Sequence, residues 1–237
     1  MLKKLLKNAH KKIKKESKDW KFERLLITAH LQHSNVCIND FMYFDGFLSH
    51  QQIRYYLGSW YYNLNQADFY VENKKEDKSD QLQVQLNLPI QKTKGGVYLA
   101  SQAMYNKQNK SVNKFRKRFG EMFYMDYCRS PNGMMRTSMG KFKAIDMPVV
   151  VSNTESVSWI VIGDKKAIGK LLADVQSLGK KTNQGYGWVK KWTIEPTRLH
   201  GNRGFPCTAD KTPDYYGRVR PSYHNPLNQE YIKVDNF

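Results

Sequence analysis

Residues 164–196, DKKAIGKLLADVQSLGKKTNQGYGWVKKWTIEP, limit the folds open to this chain more tightly than any other stretch. Ile168, Leu171, Leu172, Val175 and Leu178 recur at i, i+3, i+4, i+7 and i+10, the spacing of one helix face. Asp164 supplies an N-cap and Gly179 a stop signal, so a helix is predicted from Asp164 to about Leu178. A loop with Gly179, Gly185 and Gly187 follows, and residues 188–196 then read as a strand with Val189 and Ile194 on opposite faces. A helix that passes through a short loop into a strand fits an α+β domain whose sheet and helix share one core.

The rest of the periodicity extends that unit. Leu25, Leu26, Ile27, Ala29 and Leu31 form a first core strand, ended by the turn-prone Ser34, Asn35, Asn39 and Asp40. Phe47, Leu48, Ile53, Tyr56 and Leu57 mark a helix that stops near Gly58. Residues 68–80 are polar and read as a surface loop, after which Leu82, Val84, Leu86 and Leu88 alternate as a second strand. MPVVVS and VSWIVIG, parted by Asn153, Thr154 and Glu155, read as a hairpin. Taken in order, these elements are compatible with a ferredoxin-like β-α-β-β-α-β core over residues 22–196, with an insertion around 91–145. Beyond Pro196, residues 197–237 read as an irregular C-terminal tail, and no internal repeat is present.

Charge sets the class of partner. Lys and Arg number 39 against 21 Asp and Glu, for a net charge of +18, and such an excess repels itself unless a polyanion takes it up. Nucleic acid is therefore the expected partner. Residues 1–21 hold nine lysines and space Leu2, Leu5, Leu6, Ala9 and Ile13 for a basic amphipathic helix. A solvated or frayed extension, a phosphate or protein contact, and a membrane-surface helix all fit that pattern. Residues 91–119 carry eight Lys or Arg and no acid. Cys37, Cys128 and Cys207 are too few and too scattered for a disulfide framework or a zinc knuckle. With no apolar run of spanning length, a cytoplasmic chain without membrane contact is expected.

The glycine loop carries the strongest chemical signal. Glycine lets a backbone turn at positive φ and approach another molecule closely. The loop is neither a Walker A sequence nor a Rossmann fingerprint, whose glycines would precede a helix rather than follow one. Lys180, Lys181 and Lys190 can meet phosphates, Asn183 and Gln184 can donate to sugar or base edges, and Tyr186 can stack on a base. Lys114, Arg116, Lys117 and Arg118, then Arg136, Lys141 and Lys143, extend a basic track. A plain helix-to-strand connection whose glycines only close the turn is the competing reading.

Catalysis finds less support. The histidines are His10, His30, His33, His50, His200 and His224. His30 and His33 should point to opposite faces of a strand-like run, which makes them and Cys37 a poor metal cluster. No DxD or HExxH grouping is present, so no catalytic residue, metal or cofactor is assigned.

The glycine loop between last helix and last strand resembles that of the RAMP superfamily of CRISPR proteins. More narrowly, YFDGFLSH, GGVYLASQAMY, KFRKRF, LLADVQSLGKKTNQGYG and GRVRPSYHNP resemble the Cas-five-like subunit of type IV CRISPR effector complexes. The resemblance implies a non-catalytic subunit that grips the 5′ handle of a CRISPR RNA and caps one end of a filament of backbone RAMP subunits, with a large subunit and a target nucleic acid reached through the complex. Gly185, Tyr186, Gly187, Lys180 and Lys181 inherit the loop's RNA contacts. Some RAMP relatives cut RNA, so a metal-independent endoribonuclease with His50 or His30 as general base is the alternative, and a basic adaptor acting through residues 1–21 is a third reading.

Overall fold

A computed structural model describes residues 2–38, 42–63, 86–117, 145–207, 212–219 and 229–237. Its centre is a three-stranded antiparallel sheet. β1 (Phe22–Leu31) lies between β5 (Ser156–Asp164) and β6 (Val189–Pro196). Leu25, Ile27, Ala29 and Leu31 are buried at the two-residue period, so one face of β1 builds the core while the other stays half-exposed. α2 (Phe44–Leu57) and α3 (Lys165–Leu172) contribute Phe44, Leu48, Ile168, Leu171 and Leu172 to the same cluster. Trp159 of β5 is wholly buried there, with Phe47 stacked on one side and Trp192 of β6 on another.

The free edge of β5 is covered by residues 90–104, which touch it through bridges at Ile90–Gly163, Ala100–Val161 and Met104–Ser158. The predicted second strand departs from expectation: Leu86 and Leu88 are buried but lie outside any strand, while 82–85, like 68–80, fall outside the described residues. Asp164 caps α3 as expected, its carboxylate accepting from the Ala167 N–H at 2.7 Å. α3 nevertheless stops at Leu172, short of the predicted Leu178. Ser177 leaves the helical path to bridge Trp188, and Leu178, although outside the helix, is still buried in the main core. Gly58, with φ +56°, ends α2.

The hairpin expectation is corrected. β4 (Ile145–Asn153) pairs with β3 (Lys110–Lys117) and with the short β2 (Asn35–Val36), whereas β5 pairs with β1. Burial explains the split. β5 is apolar on both faces, with Val157, Trp159, Ile160 and Val161 all buried, so it belongs inside the main sheet. β4 leaves Met147 and Val150 exposed and suits an outlying sheet. At the turn between them the Thr154 N–H donates to the Ser34 carbonyl, not across a hairpin. β3 itself lies inside the expected insertion.

The irregular tail is also corrected. β7 (Asn202–Pro206), β8 (Tyr215–Arg218) and β9 (Gln229–Asn236) form a third antiparallel sheet, ordered β7-β9-β8. It is pinned to α2 by a fully buried ion pair. Arg203 donates to both carboxylate oxygens of Asp45 at 3.1 and 2.9 Å, and to the Ala100 and Val219 carbonyls at 3.0 and 2.6 Å. The guanidinium also lies 3.9 Å from the Tyr43 ring centroid.

At the other end of the chain, α1 (Leu2–Glu16) is docked. Leu6, Ala9 and Ile13 are buried against Ile53, Leu57 and Leu86. Glu16 accepts from the Tyr56 hydroxyl and pairs with Lys170 at 3.2 Å, which ties the helix end to both α2 and α3. The frayed-extension reading therefore gives way to a packed helix. Among the described residues, three α-helices and small antiparallel sheets make the architecture α+β.

Candidate nucleic-acid interface

The glycine loop is built into the fold on one side and left open on the other. Its rim is stitched to β2 and the residue after it: the Lys180 N–H donates to the Cys37 carbonyl at 2.7 Å and the Gly187 N–H to the Asn35 carbonyl at 2.9 Å. At the base, Leu178 N–H donates to the Gly187 carbonyl. These bonds force close backbone approaches. A Cβ on Gly179 would stand 2.5 Å from the Cys37 oxygen, and one on Gly187 would stand 2.0 Å from the Leu178 oxygen; both residues have positive φ. Gly185, with φ +89°, differs, because a Cβ there would meet nothing within 4 Å. Two glycines serve the protein's own packing, and the third faces open space.

Thr182–Gln184 form a single 3-10 turn at the tip, preceded by Lys181 at φ +59°. A non-glycine residue held there costs on the order of 1–2 kcal/mol, and such strain collects at functional sites. The Lys181 ammonium sits 3.5 Å from the Phe115 ring centroid. Asn113 Nδ2 donates to the Tyr186 hydroxyl at 2.8 Å. Tyr186 is half-buried, packed with Phe115 against Cys37, Val149 and Val151. Burial raises the Cys37 thiol pKa, although the Lys180 and Lys181 charges pull the other way. Lys180, Asn183 and Gln184 are exposed.

The tertiary structure thus joins the loop to β3, two segments about seventy residues apart. It does not join every cation. Asn113 and Phe115 face the loop, and strand alternation puts Lys114 and Arg116 on the opposite face of the β3–β4 ribbon. There Arg116 pairs with Asp146 at 3.3 Å, beside the exposed Val112 and Val150. The expected continuous track is therefore divided between two faces. Lys190 is exposed on β6, at a cleft of about 360 Å³ between that strand and α3. Lys117 ends β3, and Arg118, Arg136, Lys141 and Lys143 lie outside the described residues.

Three residues at the loop escaped the sequence reading. Asn113 and Phe115 carry no local signal, since only register brings them to Tyr186. Trp188 could have been found from the sequence: it ends the loop, its ring is about half exposed, and its indole N–H donates to the Thr182 carbonyl at 2.9 Å.

His50 of α2 hydrogen-bonds the Tyr61 hydroxyl and meets that ring edge-on at 4.9 Å. Burial and then the Arg54 charge lower its pKa, which favours the neutral imidazole. His30 Nε2 lies 3.3 Å from Thr193 Oγ1, His33 is exposed, and His200 Nδ1 lies 3.3 Å from the Phe237 carbonyl. Among the described residues, no group of three or more His, Cys, Asp or Glu gathers to hold a metal, and no helix is long and apolar enough to cross a membrane.

A family model described as CRISPR type IV associated protein Csf3 matches residues 72–204, a span that includes β3 to β6 and the whole glycine loop. No curated protein matches the chain.

Proposed function

The chain belongs to the Csf3 family of type IV CRISPR associated proteins, the Cas-five-like RAMP group, and from that premise we propose that its glycine loop grips the 5′ handle of a CRISPR RNA. In this reading the protein is a non-catalytic subunit that caps one end of an effector complex and contacts backbone RAMP subunits and a large subunit. The observation that carries it is the loop's double character. Gly179 is locked against Cys37, and Gly187 against Leu178 and Asn35, while Gly185, Lys180, Asn183 and Gln184 stay open around a strained Lys181. A fixed rim with an open cationic tip suits a flexible anionic strand, because little ordering is left to be done at binding.

Trp188 offers the more open stacking face, and Tyr186, held by Asn113, supports the tip from beneath. Stacking on such a ring contributes about 1–3 kcal/mol per base. The fold side of the proposal is a ferredoxin-like RAMP core. The β5-β1-β6 order, the helices α2 and α3, and the bridged segment 90–104 in the place of a second strand support it.

The test is binding of a short repeat-derived RNA at moderate salt. Lys180→Glu with Lys181→Glu should weaken it at least tenfold and reduce the salt slope by roughly 1.4, at about 0.7 per phosphate contact on a single strand. Unchanged affinity would take the loop out of the site. The runner-up, a metal-independent endoribonuclease, draws on the neutral His50 beside Tyr61. Incubating wild-type protein with repeat RNA in EDTA separates the two, and cleavage lost on His50→Ala would favour the enzyme.

A further inference from the structure

α1 presents a second cationic surface that the loop does not use. Lys4, Lys7, Lys11, Lys14 and Lys15 are all exposed, and their spacing of 3, 4, 3 and 1 residues keeps them in one stripe along the helix. Leu6, Ala9 and Ile13 lie on the opposite side, buried in the protein. From Lys4 to Lys15 the stripe runs about 16 Å. Glu16 is the helix's only acid, and it is engaged by Tyr56 and Lys170. Past the end of α1 the Lys21 N–H donates to Asp164 Oδ2 at 2.7 Å, and Lys165 and Lys166 at the start of α3 are exposed.

This arrangement is unfavourable for the isolated protein. Lysines at i and i+3 or i+4 repel one another, and the first turn, which holds no acid, sets Lys4 against the positive end of the helix dipole. A polyanion would reverse both penalties. The surface has no apolar face left for a bilayer, because that face is already packed on α2, and helices that lie on membranes need it free. A protein interface fits poorly as well, since lysine is depleted in interface cores. Nor does α1 carry a Phe, Tyr or Trp along the stripe to stack unpaired bases.

We infer that the lysine stripe of α1 binds the phosphate backbone of double-stranded nucleic acid without reading its sequence. Point charges carried on a docked helix, with no aromatic stacking group among them, are the features that backbone contact alone requires. The site goes beyond the handle-binding loop and is independent of it.

The experiment uses the full chain freed of nucleic acid at high salt, a 20-base-pair DNA duplex of arbitrary sequence, and a single strand of the same length, read by fluorescence anisotropy from about 0.05 to 0.2 M salt. Lys4→Gln, Lys7→Gln, Lys11→Gln and Lys15→Gln are combined, which leaves Leu6, Ala9 and Ile13 in place; an unchanged circular dichroism spectrum and thermal midpoint verify the fold. The variant should bind the duplex at least about tenfold more weakly at 0.1 M salt, with a salt slope lower by roughly 3.6, at about 0.9 for each phosphate that is no longer neutralised. Its affinity for a short repeat-derived RNA should be unchanged, which separates this site from the loop. An unaltered duplex slope overturns the inference, as does equal loss of single-strand binding. Loss of binding to phosphatidylserine vesicles with duplex affinity intact would assign the stripe to membranes instead.

Discussion

Replacing Asp45 by Asn keeps the shape of the Asp45–Arg203 pair and removes its negative charge. Both side chains are fully buried, so water cannot compensate the guanidinium that remains. Two charge-assisted hydrogen bonds, at 3.1 and 2.9 Å, are weakened or broken, while those to the Ala100 and Val219 carbonyls persist. At about 1.5–3 kcal/mol per charged hydrogen bond, and about 3–5 kcal/mol for breaking a buried pair from one side, the expected loss is about 4 kcal/mol. For a chain of this size that lowers the thermal midpoint by about 8–16 °C. Calorimetry measures the shift, and hydrogen exchange should show β7 and β9 losing protection before β1 and β5. Combining Asp45→Leu with Arg203→Met removes the stranded charge. The double variant should be no less stable than Asp45→Asn, even though the Ala100 and Val219 carbonyls lose their donor. A single variant within about 1 kcal/mol of wild type, or a double variant showing the sum of both losses, would refute the claim that this pair pins the C-terminal sheet.

Other outcomes follow from the same geometry. Gly187→Ala places a methyl 2.0 Å from the Leu178 oxygen and should distort the loop base, whereas Gly185→Ala meets open space and should cost only the roughly 1–2 kcal/mol of its positive φ; denaturant midpoints that order the two the other way would contradict the stitched-rim description. Ile13→Ala should cost about 3 kcal/mol if α1 is docked on Ile53, Leu57 and Leu86, and under about 0.5 kcal/mol if that helix is a solvated extension. Burial pushes the Glu16 carboxyl up, but hydrogen bonds from Tyr56 and Lys170 and the Lys170 and Lys12 charges outweigh it and hold the pKa below the ordinary range. Its contribution is therefore complete above the unfolded value of about 4.3 and is lost as pH falls through the lower folded value. Glu16→Gln should then be less stable than wild type at about pH 7 and converge with it near pH 3, as thermal midpoints across that range would establish.

The amino-acid order alone determined the pieces whose signals lie within a few residues of one another. The inward period of β1, the Asp164 cap, the Gly58 stop, the strand after the glycine loop and the apolar stripe of α1 were all legible, because each depends on one element's own faces. The loop's position and the family resemblance were legible for the same reason. Partnership was not. Adjacent β4 and β5 look like a hairpin locally, yet one joins β2 and β3 and the other β1, a choice made by which strand can be covered on both faces. The sheet after Pro196 depends on Arg203 meeting Asp45, 158 residues away, and no period reports a contact at that range. Likewise, charge counting placed Lys114 and Arg116 beside Lys181, whereas strand alternation turned them to the far side of the ribbon and brought Asn113 and Phe115 to the loop. Periodicity records which residues must leave water, and only the packed chain decides what each of them meets there.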